Sequence, residues 1–442
     1  MNNDLMKNFL KEDWHVVGSN ETSLINTIDE VSDRTITRLI NPSQLTLYSI
    51  VSIVKEGLNV MVIKPDDMDV EILFPIKGGR TYFDKDQKHY GFFSYERFRK
   101  KMGMDDELLE EIRENGYFLR YSGGIGDSIL LIPSASFMAT LCRQLNCGKL
   151  PDITDPFRDI FIAYLLRDAD NFKMVYREGE LSGKAFACFT SKYTEVKQKN
   201  AVKEFLTALK AKIPNAIVSF FKIDHFITTV KVDFPDLEVT LKCNGKRKVI
   251  KSCVTFTMSD VGDASFTLQN CLSINGHNIR VGAPVMQPHK GEISIPALVE
   301  SYLKKSYLEL EKITNQLSQL NTQNMLPKSD TMIKVLDLIQ FKAACGVKTA
   351  NMYKKSLKDN SCVSSAEIVL ELLNIPGNLE LFYQNETKKY AVIRNQERRD
   401  GIRKGRLEEE VGKELAVSVI YKMEAVIGNI FFDKNVAEVI EW

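Results

Sequence analysis

Two carboxylates, Asp260 and Asp263, stand three residues apart between Phe256 and Phe266, with Ser259, Gly262 and Ser265 beside them. Hard cations such as magnesium take oxygen ligands of this kind, which makes the pair a candidate centre for metal-dependent phosphodiester chemistry. The same residues have a conformational use. At a corner between strands, Asp bonds its own backbone and Gly supplies positive φ. A tight turn without a cofactor is the expected role, and magnesium on Asp260 and Asp263 is the alternative.

A second chemistry is positive charge set against phosphate. Lys242, Lys246, Arg247, Lys248 and Lys251 crowd the segment LKCNGKRKVIK, in which Asn-Gly is a strong hairpin signal. A cationic hairpin suits backbone contact with single- or double-stranded nucleic acid. Arg177, Lys192 and Tyr193, on or beside an earlier predicted hairpin, would add charge and a stacking ring. A further basic run, Arg394 to Arg406, holds Arg394, Arg398, Arg399, Arg403, Lys404 and Arg406. The competing use of such charges is a solvated face or a guarded strand edge.

Other candidates carry less. Gly123-Gly124-Ile125-Gly126-Asp127-Ser128 resembles a phosphate loop, but the Walker lysine is missing and Asp127 would repel an anion. The histidines, at 15, 89, 225, 277 and 289, form no helical pair, and neither a zinc-protease motif nor a nucleophile elbow occurs. Cys142 and Cys147 have no His neighbour, so the eight cysteines read as free thiols.

The elements that must position these residues read as α+β. FKMVYR and KAFACFTSKYTEV flank a glycine-containing turn, and NAVKEFLTALKAKI has helical periodicity. About five strands then follow without an intervening helix, which argues for a mainly antiparallel central sheet with flanking helices. Pro296 opens a long helix on which Val299, Leu303, Leu310, Leu317 and Leu320 form a stripe, a core face or alternatively a homo-oligomer seam. The expected division is a mixed region over 1–92, a central domain over 93–320, a linker over 321–332 and a helical region over 333–442.

At 442 residues with 44% hydrophobic and 26% charged content, the chain can build a substantial core. The formal net charge of +1 excludes a global field that would draw it onto nucleic acid, so binding must come from local patches. Neither a signal peptide nor a membrane span is evident, and a cytoplasmic protein is expected.

FMATLCRQLNC, LLRDADNFKMVYRE, GKAFACFTSKYTEVKQ and TFTMSDVGDASFTLQNCLSINGH follow one another in a recognisable order. Through it, residues 137–282 resemble the phage/plasmid-like proteins built on a domain of unknown function, found in prophages and mobile plasmids. Arg177 and Ser191-Lys192-Tyr193 stand where that family ends two successive strands, with one residue fewer between Ser and Tyr here. Ser259, Asp260, Gly262 and Ser265 match its later turn. The first 90 residues and Asn275-Gly276 depart from the pattern. The resemblance implies a cytoplasmic protein of a mobile element and brings no activity with it. The expected function is therefore a non-enzymatic accessory protein that binds nucleic acid during replication or recombination. The alternatives are a divalent-metal-dependent phosphodiesterase and a scaffolding protein acting on a host factor.

Overall fold

A computed structural model of the chain describes residues 9–11, 13–53, 59–63, 82–83, 89–90, 92–94, 117–122, 128–148, 162, 164–178, 183–243, 246–289, 291–320, 325–357, 361–381 and 418–441. Strand β1 (His15–Gly18) leads into α1 (Glu21–Arg34). The helix starts where Asn20 accepts a hydrogen bond from the Ser23 amide at 2.8 Å, satisfying a donor that has no intrahelical partner. Leu24, Thr27, Ile28 and Val31 recur at helical spacing and form its buried face.

The chain continues through β2 (Thr35–Ile40), β3 (Leu45–Ile53), β4 (Asn59–Ile63), β5 (Tyr82–Phe83), β6 (His89–Tyr90), β7 (Phe92–Ser94), β8 (Tyr117–Ser122) and β9 (Ser128–Pro133). Helix α2 (Ala135–Gln144) and strands β10 (Phe172–Glu178) and β11 (Gly183–Thr190) follow. These strands, apart from β1 and the small β5–β6 pair, form one sheet ordered β2-β10-β11-β9-β8-β3-β4-β7. It is antiparallel except where β9 runs parallel to β11. Phe137, Met138, Leu141 and Cys142 of α2 are buried in the hydrophobic cluster on this sheet.

After α3 (Gln198–Lys210) come β12 (Ile217–Asp224), β13 (Thr228–Asp233), β14 (Val239–Cys243), β15 (Lys246–Met258), β16 (Phe266–Ile274) and β17 (His277–Gln287). They form a second sheet ordered β1-β12-β13-β15-β16-β17, with β14 beside the first half of β15. The sequence TTVKVD of β13 alternates buried and half-buried positions, the period of two expected when one face meets a core. Val230, Val232, Val254, Phe256 and Leu268 point into that core, and Phe205 of α3 stacks on Phe256 at 4.4 Å. The protein is α+β, with mainly antiparallel sheets and helices against them.

The predicted long helix is present. Helix α4 (Ile295–Tyr302), a π turn over Leu303–Tyr307 and α5 (Leu308–Ser318) run on from one another. A π turn withdraws a carbonyl from the regular ladder, and here Asn270 supplies the partner. Its Nδ2 donates to the Ser306 carbonyl at 2.5 Å, and its Oδ1 accepts from the Tyr302 hydroxyl at 2.7 Å. Leu310 and Leu317 are fully buried within the chain, so this part of the stripe is a core face.

The C-terminal part contains β18 (Met325–Pro327), α6 (Lys328–Leu338), α7 (Phe341–Cys345), α8 (Val347–Ser356), β19 (Cys362–Ser364), α9 (Ser365–Leu373), helical residues 418–428 and α10 (Lys434–Val439). Within the segment expected as a linker, Met325–Pro327 pairs with Cys362–Ser364 and α6 begins at Lys328. The expected boundary near residue 92 is also crossed. β7 spans it, β3 pairs with β8, and β1 pairs with β12. One hydrophobic cluster reaches from Phe9 to Ile440. The N-terminal residues are interleaved with the central sheets because edge strands are completed by distant partners rather than by neighbours in sequence.

Candidate nucleic-acid interface

Arg177 does not lie on a surface. It is fully buried on β10, and every arm of its guanidinium is occupied. Nη2 donates to both carboxylate oxygens of Asp260, at 3.0 and 3.1 Å. Nη1 donates to Nδ1 of His225 at 2.7 Å and to the His225 carbonyl at 2.9 Å, while Nε reaches the Thr35 hydroxyl at 3.2 Å. The Phe186 ring lies 4.9 Å from the guanidinium carbon. Arginine cannot give up its protons, so Nδ1 of His225 must be the acceptor. Nε2 therefore carries the hydrogen and donates to the Lys11 carbonyl at 2.9 Å. Burial, followed by the charges of Arg177 and Lys184, pushes the His225 pKa down to about 2, so the ring is neutral. The assembly joins β10 of one sheet to the β12–β13 and β15–β16 connections of the other. Arg177 is removed from the set of nucleic-acid ligands because its charge is neutralised and no solvent reaches it.

The same contacts explain the polar stretch after Phe256. The Ser259 hydroxyl accepts from the amides of Val261 at 3.2 Å and Asp263 at 3.0 Å, closing a tight turn. Gly262 has a φ of 82°, and a Cβ there would sit 2.7 Å from the Phe189 ring. Glycine is thus required both by conformation and by space. Asp263 is exposed, partial desolvation of its carboxyl raises the pKa, and the carboxylate accepts from Ser136 at 3.4 Å. The magnesium alternative fails at Asp260, where the Arg177 guanidinium already holds both oxygens that a cation would need. Among the described residues no group of three or more His, Cys, Asp or Glu side chains has metal-binding geometry.

Tyr193 is likewise engaged within the protein. Its ring stacks on Phe189 at 3.8 Å and 7°, and its hydroxyl donates to Nδ1 of His289 at 3.3 Å, whose Nε2 donates to the Ala264 carbonyl at 2.9 Å. A base could stack on that face only by displacing Phe189, so Tyr193 is also withdrawn. Lys192 beside it is exposed.

The basic hairpin forms, with Lys242 opposite Arg247, Leu241 opposite Lys248 and Cys243 opposite Lys246. Its charges do not act as a single finger, because alternation along a strand sends neighbours to opposite faces. Arg247 and Lys251 are exposed on one face of β15, whereas Lys248 is half-buried on the face that carries Ile250 to the core. The second basic run, 394–406, and the glycine cluster at 123–127 lie outside the described residues.

Followed along β15, the Arg247–Lys251 face becomes the outer face of the second sheet. Register puts Phe220, Lys231, Thr255 and Gln269 in one row across four strands, with Lys222, Thr229, Thr257 and Thr267 in the next. Phe220 is 39% exposed, and the same face also exposes aliphatic side chains, Ile217 at 57% and Val17, opposite Lys222, at 54%. Lys222 is exposed on the same strand, and its ammonium is 3.5 Å from Asp224. Lys231 and Lys251 share Asp233 at 3.9 and 3.8 Å. An aromatic ring framed by lysines and threonines on a sheet can stack on a base while the ammonium groups meet phosphates. Phe220 was not evident as a site from its residue type alone. The signal was the adjacent pair Phe220-Phe221: on a half-buried strand one of two neighbouring rings must face solvent, and here it shares that face with Lys222.

No family model, curated protein or solved structure matches this chain. No helix among the described residues is long and apolar enough to cross a membrane.

Proposed function

We propose that this protein is a nucleic-acid-associated accessory protein that lays single-stranded nucleic acid across the outer face of the β12-β13-β15 region. The observation that carries this reading is the exposed Phe220 ring beside Lys222 and opposite Lys231. Arg247 and Lys251 extend the cationic path along β15. The two lie about 13 Å apart at the usual rise per strand residue, so they would meet different phosphates. Phe220 supplies stacking that does not depend on base identity, and the exposed Lys222, Lys251 and Arg247 supply backbone attraction. The resemblance to phage and plasmid proteins read from the order of segments over residues 137–282 is the ground on which we propose a place in the replication or recombination of a mobile element.

Fluorescence anisotropy with a labelled oligothymidylate and a labelled duplex, across a sodium chloride series, tests the assignment. Single-strand binding should weaken steeply with salt, and replacing both Arg247 and Lys251 by Ala should reduce the logarithmic salt slope by about 1.4. Phe220→Ala should weaken binding roughly 5- to 150-fold, the range for loss of one stacking ring. Unaltered binding in Phe220→Ala, or no binding by the full chain at low salt, would overturn the reading.

A further inference from the structure

The C-terminal helices leave a cavity of about 560 Å³ against β17, within the range of small-molecule sites. Ile339, Ala344 and Val426 contribute to its apolar wall. Arg280, Tyr421 and Lys422 also line it. The Arg280 guanidinium carbon lies 3.5 Å over the Tyr421 ring, and Nη2 donates to the Tyr421 carbonyl. Its Nε is buried and has no hydrogen-bond partner among the described residues. Arg280 and Lys422 put two cationic side chains against the cavity, and an acidic group entering it would gain charge-assisted contacts. Gln340, also in the wall, has a φ of 57°. This left-handed residue follows the end of α6 and turns the chain into α7, which brings Ala343 and Ala344 to the cavity. Asp433 borders the cavity too, but one of its oxygens caps α10 by accepting from the Asn435 amide at 2.9 Å.

We infer that this cavity binds an organic anion with an apolar body, its carboxylate or other acidic group set against Arg280 and Lys422. The body lies against Ile339, Ala344 and Val426, and the charged end fixes orientation. By register Arg280 lies on the same face of the second sheet as Phe220, four strands away, and the small-molecule titration reads this site without nucleic acid, so either assignment can fail without the other.

Calorimetric titration of the full chain with 1-naphthoate, and with 1-naphthalenemethanol as its neutral counterpart, tests this. The carboxylate should bind about tenfold more tightly than the alcohol, as expected for a charge-assisted contact. Arg280→Gln should remove that preference while leaving the alcohol bound. Ala343→Trp, at an exposed position on the rim, should exclude both ligands without disturbing the core. Equal affinities for the two ligands, no binding of the carboxylate, or binding that survives Ala343→Trp would overturn the inference.

Discussion

Replacing Arg177 by Met keeps an unbranched apolar stem and removes the guanidinium with its charge. Asp260, with a side chain only 9% exposed, would then lose both guanidinium contacts. The lone pair on His225 Nδ1 would lose its donor in the same step. Breaking a buried ion pair from one side costs about 3–5 kcal/mol, because the remaining charge is left without compensation. The orphaned imidazole acceptor falls in the range of about 1–3 kcal/mol when considered alone, and it overlaps with the first figure. A net loss of about 4 kcal/mol is therefore expected. Trp14 is a built-in reporter, since it is buried with its ring 5.2 Å from His225. Urea unfolding followed by tryptophan fluorescence should show the midpoint falling in Arg177→Met. The double variant Arg177→Met/Asp260→Leu should recover most of the loss, because it leaves no unpaired charge behind. A single-variant loss below about 1 kcal/mol, or a double variant no more stable than the single one, would refute the account of Arg177 as a buried clamp.

His225 predicts a pH dependence. Its folded pKa of about 2 lies below the ordinary imidazole value, so below about pH 6.5 the unfolded chain binds a proton that the folded chain does not. Stability from this residue is complete above that pH and falls by up to about 1.4 kcal/mol per unit as the medium becomes more acid. His225→Gln, which retains an acceptor for Arg177 but cannot titrate, should flatten the difference between pH 7 and pH 5 in urea unfolding; an identical slope in both proteins counts against the assignment. Gly428 lies so close to β17 that an added Cβ would be 1.8 Å from the Arg280 carbonyl oxygen. Gly428→Ala should therefore lift residues 418–428 from that strand, and amide exchange over His277–Val281 should accelerate; unchanged exchange would show that the strand can yield.

The fold class was legible because its signals are local. Asn-Gly turns and period-two segments announce hairpins, and helix 198–210 is amphipathic in sequence and in structure. The partitioning of the chain was not, since pairing β3 with β8 or β1 with β12 leaves no mark at short range. Arg177 illustrates the same limit at the site. Positive charge on FKMVYRE reads as surface, and only the distant Asp260 shows that β10 is covered on both sides. The hairpin charges were a different case. Period-two alternation already separates Arg247 and Lys251 from Lys248, and counting residues along the strand would have divided the cluster.

The pairing of His15–Gly18 with Phe221–Asp224 has a consequence for biogenesis. During synthesis, the first strand waits for a partner some two hundred positions downstream, about 10–40 s at ordinary ribosomal speeds. Throughout that interval its amides and the neighbouring Trp14 remain available to other chains. Crowding on a polysome should therefore favour aggregation, and a nascent-chain chaperone should raise the yield of native protein.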